Sequence, residues 1–392
     1  MRDQLISLKF KTDNELLIAL CSKYWEQNED CEFVNKVPVL YRKFKIPAGK
    51  LNKLITDSCE AFTDSYVCSV CKVPYIFSSR FDYKLRGNGS KSWKCSKCLL
   101  AEEERKEQER INRQKQFRRI VEEKYKIKNR VPADTGLLSF EEAVFLLAFI
   151  RLYAAEDYSF ARPVSSARDR LAPTDNYCRL IVETLFKRKL ILVDPGSPVE
   201  AFCGEQAERF YIYEVMWKLP YGILSEDPRD FAIELEAYIR LNLWPERWHD
   251  ESICLWRNVA LSECLQYLNF SLQEHGFNFS PGDKTISVLN NLLSDYSTSQ
   301  IFNIIWRSVK DAAAYYVREH VPRIQAANFA IGAMQRFGDK AKAEGWIIRP
   351  YSRPWLIPQT EVSFVLYNTA LKIGDLGFMH VPDVSLLTKD NH

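Results

Sequence analysis

Histidine, methionine and glycine are scarce in this chain of 392 residues, which contains 5, 4 and 14 of them. The histidines lie too far apart along the sequence to form a metal site by local spacing. The sequence also lacks the Gly-rich phosphate loop of ATPases, the Gly-x-Ser-x-Gly turn of serine hydrolases and the His-Glu-x-x-His pair of zinc hydrolases. These absences favour a non-enzymatic protein.

Long apolar segments are missing as well. No run of about 18 apolar residues occurs, and the N-terminal sequence MRDQLISLKFKTDNE has no apolar core of the kind that signal peptides contain. The 11 cysteines are spread along the chain, and only four of them have paired spacing. Disulfide frameworks are typical of short secreted chains, so we expect a protein of the reducing cytoplasm that spans no membrane.

The overall composition is that of a globular protein. Hydrophobic residues make up 46% of the chain, charged residues 27% and aromatic residues 13%. These fractions exclude the disordered, collagen-like and disulfide-dense classes. A chain of this length is expected to fold as two or three domains with a sizeable buried core.

Positive charge is concentrated in one part of the chain. The formal net charge is only +3, but residues 40–130 hold 23 basic and 11 acidic side chains, whereas residues 131–392 hold 26 and 33. A basic block joined to an acidic remainder is typical of a nucleic-acid-binding part attached to a different kind of domain. The alternative is that half of the block is simply a solvated charged helix.

Two cysteine pairs lie within this basic block. Cys68 and Cys71, and then Cys95 and Cys98, are each separated by two residues, with 23 residues between the pairs. A Cys-x-x-Cys turn brings two thiolates together, and two such turns facing each other complete a tetrahedral ligand set for Zn²⁺. A redox-active dithiol is the alternative, but it needs only one pair. We therefore predict a structural zinc site with no open position for a substrate.

The sequence around these cysteines resembles a zinc ribbon over residues 66–100. The segments 73–77 and 81–85 between the two pairs predict strands, followed by a turn at Gly87. Basic side chains in this region are candidate contacts to phosphates. They are Arg80, Lys84, Arg86 and Lys91.

A helix-turn-helix-like unit is predicted before the ribbon, in residues 1–65. Apolar residues recur at helical spacing from Asn14 to Trp25, and two short helices follow over 39–44 and 48–55, with a turn containing proline between them. The second helix of such a motif can enter the major groove of DNA, although similar units also bind proteins. The candidate groove contacts on its exposed side are Lys50, Asn52 and Lys53.

A charged connecting helix is predicted over residues 101–130. Opposite charges recur there at helical spacing, for example at Glu102 and Lys106, and apolar residues are few. Such a helix is expected to be solvated and to act as a spacer.

A winged-helix-like segment is predicted over residues 131–200. Ser139 and Glu142 match a capping box at the start of a buried helix, and a second helix over 175–187 is followed by a strand at 190–193. Because the segment lies in the acidic part of the chain, we expect it to pack or to bind protein rather than DNA.

The remaining residues, 201–392, show mostly helical periodicity and predict a helical C-terminal domain. The expected fold class is therefore mostly α with a small zinc ribbon, a helix-turn-helix-like unit, a long charged helix and a winged-helix-like segment.

The preferred functional interpretation is a zinc-containing nucleic-acid-binding protein, with DNA favoured as the ligand and with residues 131–392 binding a protein partner or mediating oligomerisation. One alternative is an effector enzyme, such as a nuclease of a bacterial or phage conflict system, with its active site among the C-terminal helices. Another is a scaffold that contacts only proteins.

Overall fold

The computed structural model describes residues 5–47, 49–87, 92–126, 132–241 and 244–383. Its contacts divide the chain into two compact units, unit 1 (Met1–Lys115) and unit 2 (Gln116–His392). Most of the described residues lie in helices and only a few lie in strands, so the expectation of a mostly α protein is confirmed. The finer division into five segments stays a prediction.

Unit 1 contains a small sheet and several helices, the last of which continues past the unit boundary. The elements of its described part, in chain order, are β1 (Ser7–Phe10), α1 (Glu15–Trp25), α2 (Val37–Lys43), α3 (Leu51–Ser58), β2 (Cys59–Phe62), α4 (Arg80–Gly87) and α5 (Ser96–Lys124).

The predicted helices of the first 65 residues are present with small changes at their ends. Asn14 caps α1, since its side chain accepts hydrogen bonds from the backbone N–H groups of Leu16 and Leu17. β1 pairs antiparallel with β2, with Ser7 opposite Phe62. Buried side chains of these elements form the core of unit 1; they include Leu20, Tyr24, Trp25, Leu40, Leu51 and Ile55.

The prediction of a strand over residues 81–85 is wrong, because these residues belong to α4. Ser79 accepts a hydrogen bond from the Asp82 backbone N–H at 3.1 Å, which is a helix-capping contact. Asp82 also pairs with Arg86 one turn later, at 2.7 Å. Residues 73–77 form only isolated bridges, at Pro74 and Phe77, rather than a strand. The zinc-ribbon assignment therefore stays a resemblance in the cysteine spacing.

The charged helix is present as α5, and it starts earlier than predicted, at Ser96. The expected pair between Glu102 and Lys106 forms at 3.1 Å. Arg105 and Glu109 make a second pair of the same spacing at 3.1 Å. Such contacts between residues four apart support an exposed helix that has few apolar contacts of its own.

Unit 2 is built from helices, with two-residue strand pairs between α8 and α9. Its α-helices and strands in the described residues are α6 (Phe140–Tyr153), α7 (Arg168–Leu171), α8 (Asp175–Lys187), β3 (Leu192–Val193), β4 (Phe202–Cys203), β5 (Arg209–Phe210), β6 (Trp217–Lys218), α9 (Pro228–Arg240), α10 (Arg247–Glu274), α11 (Asp283–Leu293), α12 (Thr298–Glu319), α13 (Arg323–Ala343), α14 (Glu361–Phe364) and α15 (Leu376–Met379). Short 3-10 helices lie at Thr135–Leu137, Val164–Ser166 and Val199–Ala201. A π-helix, Val365–Ala370, continues α14.

The core of unit 2 is organised around α6. The predicted capping box is present: the Ser139 hydroxyl accepts from the Glu142 backbone N–H, and the Glu142 carboxylate accepts from the Ser139 N–H. Almost every side chain of α6 is buried, and α7, α8, α9, α10 and α14 pack around it. The burial of α6 on all sides explains why its apolar residues form a continuous run rather than a stripe.

The predicted helix over 175–187 coincides with α8, which is capped by the Thr174 side chain. The strand predicted over 190–193 is shorter, as β3, and it pairs with β6. The second small sheet pairs β4 with β5. A helix followed by a short hairpin-like element fits the winged-helix resemblance only in outline, so that assignment stays a prediction.

No helix in the described part of the chain is both long and apolar enough to cross a bilayer.

Candidate metal centre and basic surface

The first cysteine pair lies in a tight turn. The Cys68 N–H donates to the Val73 carbonyl at 2.8 Å, and the Lys72 N–H donates to the Cys68 carbonyl at 3.0 Å. Lys72 closes the turn in the left-handed region, with φ +63°, where glycine is the more usual residue. The turn brings the side chains of Cys68 and Cys71 to the same side.

The second pair lies at the beginning of α5. Cys95 precedes the helix and Cys98 belongs to its first turn, since the Leu99 N–H donates to the Cys95 carbonyl at 3.0 Å. The N-terminus of a long helix carries partial positive charge, which favours thiolates there. Lys94 and Glu102 form an ion pair that fixes the entry to the helix, and hydrogen bonds from Lys94 and Lys106 lower the pKa of Glu102 to about 2.

The structure brings the four predicted ligand cysteines together. The Sγ atoms of Cys68, Cys71, Cys95 and Cys98 all lie within 4.8 Å of one another. The Cys71 and Cys95 sulfurs are 3.5 Å apart, which is far longer than a disulfide bond. Cys68 is buried and Cys71 is exposed, so the group lies at the edge of unit 1. Four sulfurs at these distances are close enough to bind a metal ion.

Backbone donors surround one of these sulfurs. The Cys95 N–H points at the Cys68 Sγ over 3.3 Å. Burial raises the pKa of the Cys68 thiol, but hydrogen bonds from the backbone of Cys95, Cys71 and Val70 outweigh this and lower the pKa to about 6. Contacts with the neighbouring sulfurs of Cys95 and Cys71 raise the pKa of Cys98 to about 12. The environment therefore favours a thiolate at Cys68 and disfavours one at Cys98.

Aromatic side chains help to hold the two cysteine pairs next to each other. Trp93, two residues before Cys95, forms a bridge with Cys68. Its ring packs against Tyr75 at 5.0 Å between centroids and stacks near Tyr66 at 6.2 Å. This packing brings the residues before α5 to the first turn without a long strand.

A separate feature of unit 1 is the basic stretch between residues 33 and 56, which contains six basic and no acidic residues. All six of these side chains are exposed: Lys36, Arg42, Lys43, Lys45, Lys50 and Lys53. Within the described part of the chain, none of them forms an ion pair. We call these six side chains the basic surface; they belong to α2, α3 and the segments that flank α2 and α3.

The predicted groove residues lie at the beginning of α3. Lys50 caps the helix through its backbone, and Asn52 and Lys53 follow on the exposed side. The Asn52 side-chain oxygen accepts a hydrogen bond from the Tyr24 hydroxyl at 3.2 Å. This contact leaves the amide N–H groups of Asn52 directed away from Tyr24.

The predicted phosphate contacts differ in how strongly their side chains are bound within unit 1. The Arg80 guanidinium lies 4.5 Å from the ring centres of both Tyr24 and Phe33, and it donates to the carbonyl oxygens of Tyr24 and Asn35 at 2.5 Å. Because these contacts hold the Arg80 side chain within unit 1, we leave it out of the basic surface. Lys84 is exposed.

The other two candidates are Arg86 and Lys91. Arg86 is exposed but already paired with Asp82, and it lies 4.9 Å from the centre of the Tyr75 ring. Its charge is therefore largely compensated within the unit. Lys91 lies outside the described residues.

Unit 2 contains a buried ion pair that the sequence did not indicate. Arg353 and Glu263 approach within 2.8 Å, with side-chain exposures of 17% and 1%. The Ser363 hydroxyl donates to the same carboxylate oxygen at 2.6 Å. The partners are far apart in the sequence, and only the packing of α10 against α14 and the segment around Arg353 joins them.

Across the described residues, the four cysteines are the one group of three or more Cys, His, Asp and Glu side chains whose ligand atoms converge closely enough for a metal ion. Comparison of the chain with protein families, with curated proteins and with solved structures finds no match.

Proposed function

We propose that the four cysteines bind one structural Zn²⁺. Zn–S bonds of about 2.3 Å in a tetrahedron place the sulfurs about 3.8 Å apart. The observed separations, with 3.5 Å between Cys71 and Cys95 and none above 4.8 Å, are close to this value. Thiolate ligands suit zinc, and four of them leave no position for water or substrate. The metal would therefore stabilise unit 1 rather than catalyse a reaction.

We infer that the biochemical function is binding of nucleic acid, and of DNA in particular. The observation that carries this proposal is the basic surface, because six exposed cations without a neighbouring acidic residue in sequence resemble the electrostatic footprint of a phosphate-binding protein. Binding of phosphates to Lys and Arg side chains releases counterions from DNA, which supplies most of the affinity.

The resemblance to a helix-turn-helix supports a specific role for α3. Asn52 and Lys53 are exposed near its N-terminal end, where residues of a recognition helix contact base edges. Asn offers an amide that suits adenine, and Lys suits guanine or phosphate. We propose Lys50, Asn52 and Lys53 as groove contacts, with Lys84 as a phosphate contact.

For unit 2 we propose a role in binding a protein partner or in oligomerisation, because its composition is acidic and differs from that of the basic block. We also propose that the protein works in a reducing compartment. The four cysteines of the cluster remain available for a metal only where disulfides do not form.

The proposal is tested by a mobility-shift titration of the zinc-loaded full-length chain on duplex DNA. We expect the double variant Lys50→Ala, Lys53→Ala to bind at least about tenfold more weakly than the wild type, because two phosphate or base contacts are lost. Lys9→Ala, an exposed change on β1 outside the basic surface, is the matched control and should bind as the wild type does. Equal affinities of all three proteins would remove α3 from the interface, and no shift at low salt would overturn DNA binding.

A further inference from the structure

Unit 2 contains a basic region within an otherwise acidic composition. Residues 305–353 hold nine basic and four acidic side chains, whereas residues 131–392 as a whole hold 26 and 33. The excess of basic residues lies in residues 305–319 of α12, in α13 and in the segment that follows α13. The net charge of this region is thus positive, whereas that of residues 131–392 as a whole is negative.

The same region exposes large aromatic rings. Trp306 on α12 is 40% exposed and Trp346, after α13, is 43% exposed. Trp306 packs against Tyr351 at 5.9 Å between ring centres, and Trp346 packs against Phe337 at 6.0 Å. Tryptophan is the side chain that gains most from burial, so two half-exposed copies supported by further rings are unusual on a free surface.

Cations lie directly beside these rings. Lys310 is 4.5 Å from the centre of the Trp306 ring, and Lys340 is 5.2 Å from that of Trp346. Arg307 lies 5.2 Å from Phe337 and so connects α12 with α13. Within the described residues, neither Arg307 nor Lys310 has an ion-pair partner, whereas Lys340 pairs with Glu344 at 3.8 Å. We define the tryptophan surface as Trp306, Arg307, Lys310, Phe337, Lys340 and Trp346.

We propose that the tryptophan surface binds single-stranded nucleic acid. Bases stack on exposed aromatic rings, and the positive charges beside the rings meet the phosphates of the same strand. Every base has a stacking face, so this mode of binding needs no sequence preference. The proposal goes beyond duplex binding by the basic surface of unit 1 and does not depend on it.

The arrangement favours a nucleic acid over a lipid bilayer. Membrane-surface helices carry one broad apolar face with the cations on the opposite face. Here each tryptophan has its own cation within about 5 Å, on helices whose exposed positions are mixed, such as Arg307 next to Trp306. A stacked base beside its phosphate needs this alternation of ring and charge.

The test is a fluorescence-anisotropy titration of the zinc-loaded full chain with a labelled single-stranded oligo(dT) of about 15 nucleotides. We expect Trp306→Ala and Trp346→Ala each to weaken binding about tenfold, and Arg307→Glu with Lys310→Glu to weaken it further. Trp306→Phe keeps a ring face and should recover much of the loss. Arg209→Glu, an exposed cation on β5, is the control and should bind like the wild type.

Two results would overturn the proposal: unchanged oligo(dT) affinity in the tryptophan variants, or binding of the wild type to phosphatidylserine vesicles but not to oligo(dT). Failure of the duplex proposal gives a different pattern. In that case Lys50→Ala with Lys53→Ala binds duplex like the wild type, while oligo(dT) binding still responds to Trp306 and Trp346. Far-ultraviolet circular dichroism of each variant checks that a loss of binding is not a loss of fold.

Discussion

The backbone N–H of Cys95 donates a hydrogen bond to the Sγ of Cys68 over 3.3 Å, although 27 positions separate the two residues. This hydrogen bond therefore joins Cys68 of the first cysteine pair directly to Cys95 of the second pair. The hydrogen bond favours the Cys68 thiolate, which is the form that binds a metal ion. The hydrogen bond that brings the two cysteine pairs together thus also favours the form of Cys68 that binds a metal ion.

Replacing Cys68 with serine should abolish metal binding and destabilise unit 1. The change removes the buried ligand, and a structural zinc site contributes its binding free energy directly to folding. Elemental analysis of the purified protein should give about one zinc per wild-type chain and none for the variant, and thermal unfolding should show a lower midpoint for unit 1.

The matched control is Cys254→Ser, since Cys254 is an exposed thiol on α10 that lies outside the cluster. This variant should retain the wild-type metal content. A Cys68→Ser protein that still carries stoichiometric zinc would show that the four sulfurs are not the ligand set.

Arg80→Lys should lower the free energy of unfolding of unit 1 by about 1–3 kcal/mol. The guanidinium lies between the rings of Tyr24 and Phe33 and donates to two backbone carbonyl oxygens. A lysine ammonium does not reproduce that planar fork. Urea unfolding of both proteins measures the difference, and Lys84→Ala, on the exposed side of α4, should leave stability unchanged. Equal stability of Arg80→Lys and the wild type would show that Arg80 is free for a ligand.

Features that depend on neighbouring residues were predictable from the sequence, whereas, apart from the cysteine cluster, contacts between distant residues were not. The Ser139 capping box and the helix at 175–187 were predictable because caps and helical periodicity are local. The convergence of the cysteines was also predictable, since ligand spacing reflects the geometry of the metal.

The error at residues 81–85 came from competing local signals, and the contacts of Arg80 were not predicted because they join distant parts of the sequence. In residues 81–85 the apolar positions Phe81, Tyr83 and Leu85 alternate as in a strand, but the Ser79 cap and the pair of Asp82 with Arg86 produce a helix. The capping pattern was the available signal. No local signal indicates that Arg80 packs on Tyr24, because the two residues lie 56 positions apart.

Glu141→Gln should stabilise unit 2 at neutral pH and have little effect near pH 4. Burial raises the pKa of Glu141, and the neighbouring Glu142 and Glu251 raise it further. The folded protein therefore holds this proton more tightly than the unfolded chain does, so stability decreases as the pH rises from the unfolded value towards the raised one. The variant lacks this decrease.

Thermal unfolding of both proteins between pH 4 and pH 7 measures this effect, and the difference between the midpoints should grow with pH. The control is Glu246→Gln, a substitution of the same type at an exposed position. A variant that is less stable than the wild type at neutral pH, by the same amount at both ends of the range, would contradict the account.

Arg353→Met should destabilise unit 2 by about 3–5 kcal/mol, because it leaves the Glu263 carboxylate buried without its countercharge. The double variant Arg353→Met, Glu263→Gln removes the uncompensated charge and should recover a large part of the loss. Urea unfolding of the wild type, both single variants and the double variant gives the coupling free energy. Additive effects of the two substitutions would show that the pair does not act as a unit.

We propose that unit 1 presents an array of cations to the phosphates of DNA, and the salt dependence of binding measures this interaction. Anisotropy titrations of the zinc-loaded wild type on duplex DNA, between about 50 mM and about 200 mM salt, give the slope of the logarithm of affinity against the logarithm of salt concentration. If most of the six cations of the basic surface contact phosphates, the slope should be about −3 to −5. A slope near zero, or no binding at the lowest salt concentration, would show that the basic surface does not bind the phosphates of DNA.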